Sequence, residues 1–116
     1  MRHNFRELDS WKKSFQLVKD VYLLTTELPA HEKFGLKSQL QRCAVSIPSN
    51  IAEGSGRTSD KEFAYFLNVS ISSAYELETQ LLLCKELFGF EVSELIHKLN
   101  EIQRLIGGLK RKLLNS

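Results

Sequence analysis

Glu94-Leu95-Ile96-His97 spaces two metal-ligating residue types at three positions apart. On a helix this Glu-x-x-His step presents both side chains on one face, and di-iron bundles use it. That chemistry needs two such steps and two further inward glutamates, and the chain has one step. Leu95 and Leu99 mark the core side of the same segment, so the spacing predicts His97 facing solvent. No metal and no cofactor are expected; His3 and His31 fall in terminal or loop segments. Cys43 and Cys84 are the only cysteines, and both fall on apolar helical stripes. From a turn near Arg57, Cys43 lies 14 residues back and Cys84 lies 27 residues on. The mismatch is about 20 Å of helix at about 1.5 Å per residue. A disulfide needs Cα atoms within about 7 Å. Two reduced core thiols are therefore expected.

A third group of polar residues surrounds RCAVSIPSNIAEG, residues 42–54. Pro48 sits inside an otherwise helical pattern, where proline removes a backbone donor at a cost of about 3 kcal/mol. The sequence predicts a kink there. Asn50 takes the next core position of the seam, with Ser46 and Glu53 on the adjoining edge. Folding the following helix back places Arg42 within reach of Glu76. A polar edge of Arg42, Ser46, Ser73 and Glu76 is expected, joined near the loop by Asn50 and Glu53. It is expected to have carboxylates but no histidine, no cysteine and no glycine-rich phosphate cradle, so the expected role is structural rather than catalytic.

Four apolar-periodic segments must position these groups, in one domain over residues 1–116. The first runs from about Ser10 to Leu28. It carries Trp11, Phe15, Val18 and Tyr22, with Leu17, Val21 and Leu24 beside them, and Pro29 stops it. The second runs from about Glu32 to Glu53 through Leu36, Leu40, Cys43 and Ile47. Ser59-Asp60-Lys61-Glu62 is a capping box that opens the third, which Gly89 closes after Phe88. The fourth carries Val92, Leu95, Leu99, Ile102, Ile106, Leu109 and Leu113. This three-four alternation is the seam of bundled helices. Short connections make neighbours antiparallel, so the expected fold is an all-α up-down-up-down four-helix bundle. Ala64, Ile71, Tyr75 and Leu82 form a second stripe on the third helix. Periodicity is equally consistent with a wide core face and with an oligomer interface.

The formal net charge is +2. That total is too small to argue for nucleic acid, but the expected topology redistributes it. The start of the first helix, the turn between the second and third, and the tail of the fourth share one end. Arg2, Arg6, Lys12, Lys13, Arg57, Lys61, Lys110, Arg111 and Lys112 fall there, against Glu7, Asp9, Glu53, Asp60 and Glu62. The balance is +4, and it makes a candidate contact surface for RNA or DNA phosphates. Solvated helix ends are the plainer reading. No window reaches about 18 consecutive apolar residues, so no membrane span is expected. The N-terminus lacks an apolar signal core, which points to the cytoplasm and leaves the sequon at Asn68-Val69-Ser70 idle.

The stretch Arg42 to Gly54 resembles the signature of a bacterial four-helix-bundle family, often encoded in intervening sequences of large-subunit ribosomal RNA genes. The resemblance continues in Phe5-Arg6-Glu7-Leu8 before Trp11, in Leu28-Pro29 and Glu32, and in Phe66-Leu67, Ser73 and Glu76-Leu77. Cys43, Ser70 and Ser72 depart from it, standing where the family has Ala or Gly. The resemblance implies a bundle assembled as a ring-like homopentamer. It also implies kinship with the basic, nucleic-acid-binding accessory protein of diversity-generating retroelements, and no enzymatic activity. The family's ribosomal label reflects gene location. Two functions follow as expectations: a nucleic-acid-associated accessory protein, or a protein-interaction scaffold that binds no nucleic acid.

Overall fold

A computed structural model describes residues 3–115; Arg2 lies outside the described residues. Four α-helices make up the fold: α1 (Asp9–Thr25), α2 (Leu36–Ser55), α3 (Asp60–Phe88) and α4 (Ser93–Leu114). No strand occurs among the described residues. α3 is the spine, since its 29 residues span about 43 Å at 1.5 Å rise, close to the 46 Å long axis of the molecule. Each helix packs on two neighbours, α1 on α2, α2 on α3, α3 on α4 and α4 on α1, while the diagonal pairs stay apart.

Local chemistry fixes the helix ends. Ser59 Oγ accepts the Glu62 N–H at 3.1 Å, and Glu62 Oε1 accepts from the Thr58 hydroxyl at 2.9 Å. The Ser59 arm of the box forms as its spacing predicts, whereas the Glu62 carboxylate takes the Thr58 and Ser59 hydroxyls rather than the Ser59 backbone N–H. Gly89 ends α3 at φ 72°. Its N–H reaches Lys85 O at 2.9 Å and the Phe90 N–H reaches Cys84 O at 3.4 Å, a turn that needs the left-handed conformation glycine adopts freely. α1 stops three residues before the expected Leu28. There Thr25 and Thr26 turn their hydroxyls back onto Tyr22 O and Leu23 O, at 2.8 and 2.7 Å. α2 starts at Leu36 rather than Glu32, because Ala30–Glu32 forms a separate 3-10 turn. Glu32 instead caps α2 by accepting the Leu36 N–H at 3.0 Å. α2 continues through Pro48 without interruption.

The core corrects the expected facing of α1. Its buried stripe is Ser10, Ser14, Leu17, Val21 and Thr25. Phe15 and Tyr22 are 43% and 44% exposed. Small residues on this stripe let α1 come close, and the Ser14 hydroxyl is satisfied by Trp11 O at 3.1 Å. The aromatic stripe is displaced outward, where Trp11, Phe15 and Val18 line a groove with Val45 and Pro48 of α2. On α2 the core runs through Leu40, Ala44, Ile47 and Ile51. Asn50 is therefore an edge residue rather than a core one: the seam steps four residues from Ile47 to Ile51.

Both thiols are free and buried. Burial pushes both above the ordinary thiol value of 9.0; at Cys43 the Gln80 amide on Sγ pulls partly back. Above that value the unfolded chain ionises first, so the folded state holds more protons and stability falls as pH rises. Melting temperatures taken upward from pH 9 should fall more steeply for the native chain than for Cys43→Ala/Cys84→Ala. Equal slopes would remove the thiols from the account.

Candidate nucleic-acid interface

The α2–α3 edge is built mostly from hydroxyls and amides. Ser46 Oγ and Ser73 Oγ share a hydrogen bond at 2.8 Å. Asn50 Nδ2 donates to Ser46 O at 2.8 Å and to Ser46 Oγ at 2.9 Å. Ser70, fully buried, donates to Ile47 O at 2.9 Å. One turn further, Gln80 Nε2 donates to Cys43 Sγ at 3.5 Å, and the Cys43 thiol donates to Glu76 Oε2 at 3.7 Å. Partners on α3 advance as those on α2 recede, so the two helices run in opposite directions along this edge.

The charged members behave differently. No ion pair joins Arg42 to Glu76 among the described residues, and Glu53 pairs with Arg57 at 3.6 Å. With Arg42 not depending on it, exposed Glu76 is replaceable. Glu76→Ala is expected to move stability by no more than about 0.5 kcal/mol, read by urea denaturation. A drop above about 1.5 kcal/mol, the scale of a hydrogen bond to a charged group, would restore the ion-pair reading.

The Glu-x-x-His step is divided. Glu94 pairs with Lys98 at 3.5 Å and His97 is exposed. The described residues hold no group of three or more His, Cys, Asp or Glu placed to share a metal. Among the described residues no helix is long and apolar enough to cross a membrane.

Of the nine basic residues expected at one end, eight are described. Arg6 lies over the Phe5 ring at 4.5 Å and Arg57 over the Phe66 ring at 4.6 Å. Lys13 pairs with Glu101 at 3.4 Å. Glu101 precedes Lys110 by nine residues on α4, about 13 Å of helix, so Lys13 stands apart from the tail. Lys12 and Lys61 are exposed. Lys110, Arg111 and Lys112 close α4, and none has an ion-pair partner among the described residues. Cations there also suit the negative end of the helix dipole. His3 ties the N-terminal segment to the start of α3, with its ring 5.1 Å from Phe63 and Nε2 3.8 Å from Asp60.

A family model described as 23S rRNA-intervening sequence protein matches residues 6–108. The chain belongs to this family. No curated protein matches the chain. The intervening-sequence match spans all of α1, α2 and α3 and stops short of Lys110, Arg111 and Lys112. The basic tail therefore stands on this chain's own residues. In this intervening-sequence protein the four residues expected at an oligomer interface separate. Ala64 is buried within the bundle and Ile71 packs against its core. Tyr75 and Leu82 are exposed.

Charge counting by helix ends missed Arg104. It lies on a groove between α3 and α4 with Ile71, Tyr75, Gly107 and Arg111. The signal is in the sequence: Asn100, Arg104, Gly107 and Arg111 recur at four, three and four residues, one helical stripe beside the apolar seam.

Proposed function

We propose that this protein is a non-enzymatic, cytoplasmic, nucleic-acid-associated accessory protein of a bacterial cell. It is an antiparallel up-down-up-down bundle that assembles as a homopentamer and holds the phosphate backbone of RNA or DNA. The observation that carries this reading is the cationic end of α4, Lys110 to Lys112, which like Arg6 and Arg104 has no carboxylate partner among the described residues. With Lys13 drawn off by Glu101, the end carries +3 in sequence, and five copies bring about fifteen positive charges together, enough for salt-dependent phosphate binding.

The exposed apolar surface supports the assembly part of this reading. A closed ring of more than two copies needs two different surfaces on each protomer. The protomer offers Phe15, Tyr22 and Val45 on the α1–α2 side. It also offers Leu82, Leu83 and Leu87 on the second half of α3, each more than 40% exposed. Protein isolated at low salt should carry nucleic acid that nuclease or high salt removes, and should sediment as a pentamer. Nucleic-acid-free protein under every condition would contradict the reading.

The same aromatic face favours a second reading, a protein-interaction scaffold. A pull-down recovering one protein partner in stoichiometric amount, with no nucleic acid, would establish it over the first.

A further inference from the structure

We propose that the groove between α3 and α4 is a pocket for single-stranded nucleic acid, in which Tyr75 stacks one unpaired base while Arg104 and Arg111 hold its phosphate. The inference rests on the nucleic-acid reading above and names the form of nucleic acid that this site takes.

Three observations converge on the groove, whose volume is about 510 Å³. Tyr75 is 59% exposed, and among the described residues its ring stacks on no other and its hydroxyl has no partner. An exposed aromatic face is what an unstacked base needs, and every base has a π-face to offer. Arg104 and Arg111 have no carboxylate partner among the described residues. The carboxylate on the adjoining part of α3, Glu78, turns Oε1 to Asn100 Nδ2 at 3.1 Å and to Gln103 Nε2 at 2.9 Å. Two free guanidiniums beside an aromatic ring match a nucleotide's phosphate and base together.

The glycines are the third observation. Gly107 and Gly108 stand inside α4, where glycine is among the poorest helix formers. A Cβ at Gly107 meets only Arg111 Nη1, at 3.5 Å, and one at Gly108 meets only Arg111 Nη2, at 3.8 Å. Both are ordinary contacts, so packing within the protomer demands glycine at neither position. What the pair does provide is a bare helix surface under the Arg111 side chain. The Arg111 guanidinium lies against that surface, so a phosphate entering the groove there meets its N–H groups first. Bases in a duplex are stacked on each other and cannot enter such a groove, whereas a single strand can splay one out.

The test is fluorescence anisotropy with three labelled probes of about 12 units each: a uridine strand, an abasic strand and a duplex. Tyr75→Ala should weaken uridine-strand binding roughly 5- to 150-fold while leaving the abasic strand and the duplex unchanged. Tyr75→Phe should keep native affinity for all three. Arg104→Ala/Arg111→Ala should lose affinity for the uridine and abasic strands alike. Equal loss on the abasic strand, or no loss on the uridine strand, would overturn the stacking site and leave backbone binding intact. A change in oligomer size with Tyr75→Ala would make the residue a subunit contact and overturn it as well. Polyglutamate competing as well as the abasic strand would reassign the groove to acidic peptides. No binding of any strand by the native protein would defeat this inference together with the reading beneath it.

Discussion

Gly54→Ala is expected to destabilise the protein by about 1–3 kcal/mol, in spite of alanine's better helix propensity. Gly54 lies in the last turn of α2, buried where α3 begins. A Cβ there would stand 2.8 Å from Phe63 Cδ1, 2.8 Å from Phe66 Cβ and 3.2 Å from Phe63 O. Two of these atoms belong to or adjoin the α3 backbone, so no rotamer change relieves the contact. Phe63 is fully buried, and its ring cannot swing into solvent without opening a cavity. α2 and α3 therefore have to separate near their connection, loosening the edge that Ser46, Ser70 and Ser73 hold together. Gly56 is the control. A Cβ there meets only Glu53 O, at 3.8 Å, so Gly56→Ala should stay within about 0.5 kcal/mol. Thermal or urea melts of the two variants give the comparison. Equal melts would mean that the close approach of α2 and α3 does not limit stability.

Reversing Lys110, Arg111 and Lys112 to Glu should abolish measurable nucleic-acid binding near physiological salt. Each reversal changes the charge by two, which takes the chain from +2 to −4. Every phosphate left without its cation lowers the logarithmic salt slope by about 0.9 on duplex DNA and about 0.7 on single strands. Three such phosphates per copy lower the slope by about 2 to 3 units. All three side chains are surface-facing or half-buried in the last turns of α4, away from the buried seam of Leu99, Ile102 and Ile106. The fold should therefore survive, apart from the dipole cost of anions at a helix C-terminus, about 0.3–1 kcal/mol per charge. Circular dichroism of the variant should match the native chain. Unchanged affinity and unchanged slope would remove the tail of α4 from the interface.

Helix existence was legible in the sequence wherever local chemistry and periodicity agreed. The Ser59 box and Gly89 bracket α3 at the residues the sequence indicates, because both act through backbone groups a few residues away. Facing was harder to read. On α1, two stripes run side by side, and the one with the larger apolar residues is the outer one. Ser10, Ser14 and Thr25 are core residues because close helix approach favours small side chains, and own-helix carbonyls satisfy hydroxyls such as those of Ser14 and Thr25. Nothing in residue type alone signals that. Asn50 was misplaced by a single step: the seam goes from Ile47 to Ile51, and one residue on a helix turns the side chain by about 100°. Ser46 and Ser73 were legible as members of one polar edge, but counting outward from a turn near Arg57 sets Ser46 level with Asn68, so their hydrogen bond was not legible. The Arg42–Glu76 pair was not, since long exposed side chains have several solvated alternatives of nearly equal energy.

The basic surface was legible as a composition and not as a shape. Counting by helix ends included Lys13, which Glu101 neutralises, and left out Arg104, which shares a groove with Arg111. Helical spacing carries that grouping once the stripe of Arg104, Gly107 and Arg111 is set beside Ile71 and Tyr75. The two glycines gain a meaning only when the space around them is known.

Binding of labelled RNA and DNA, single-stranded and duplex, measured by anisotropy at two salt concentrations, tests the central claim most directly. The account predicts binding that weakens steeply as salt rises, with a slope equivalent to several released counterions. No binding near physiological salt, or binding indifferent to salt, would contradict it and turn attention to the exposed face of α1 and α2 as a surface for a protein partner.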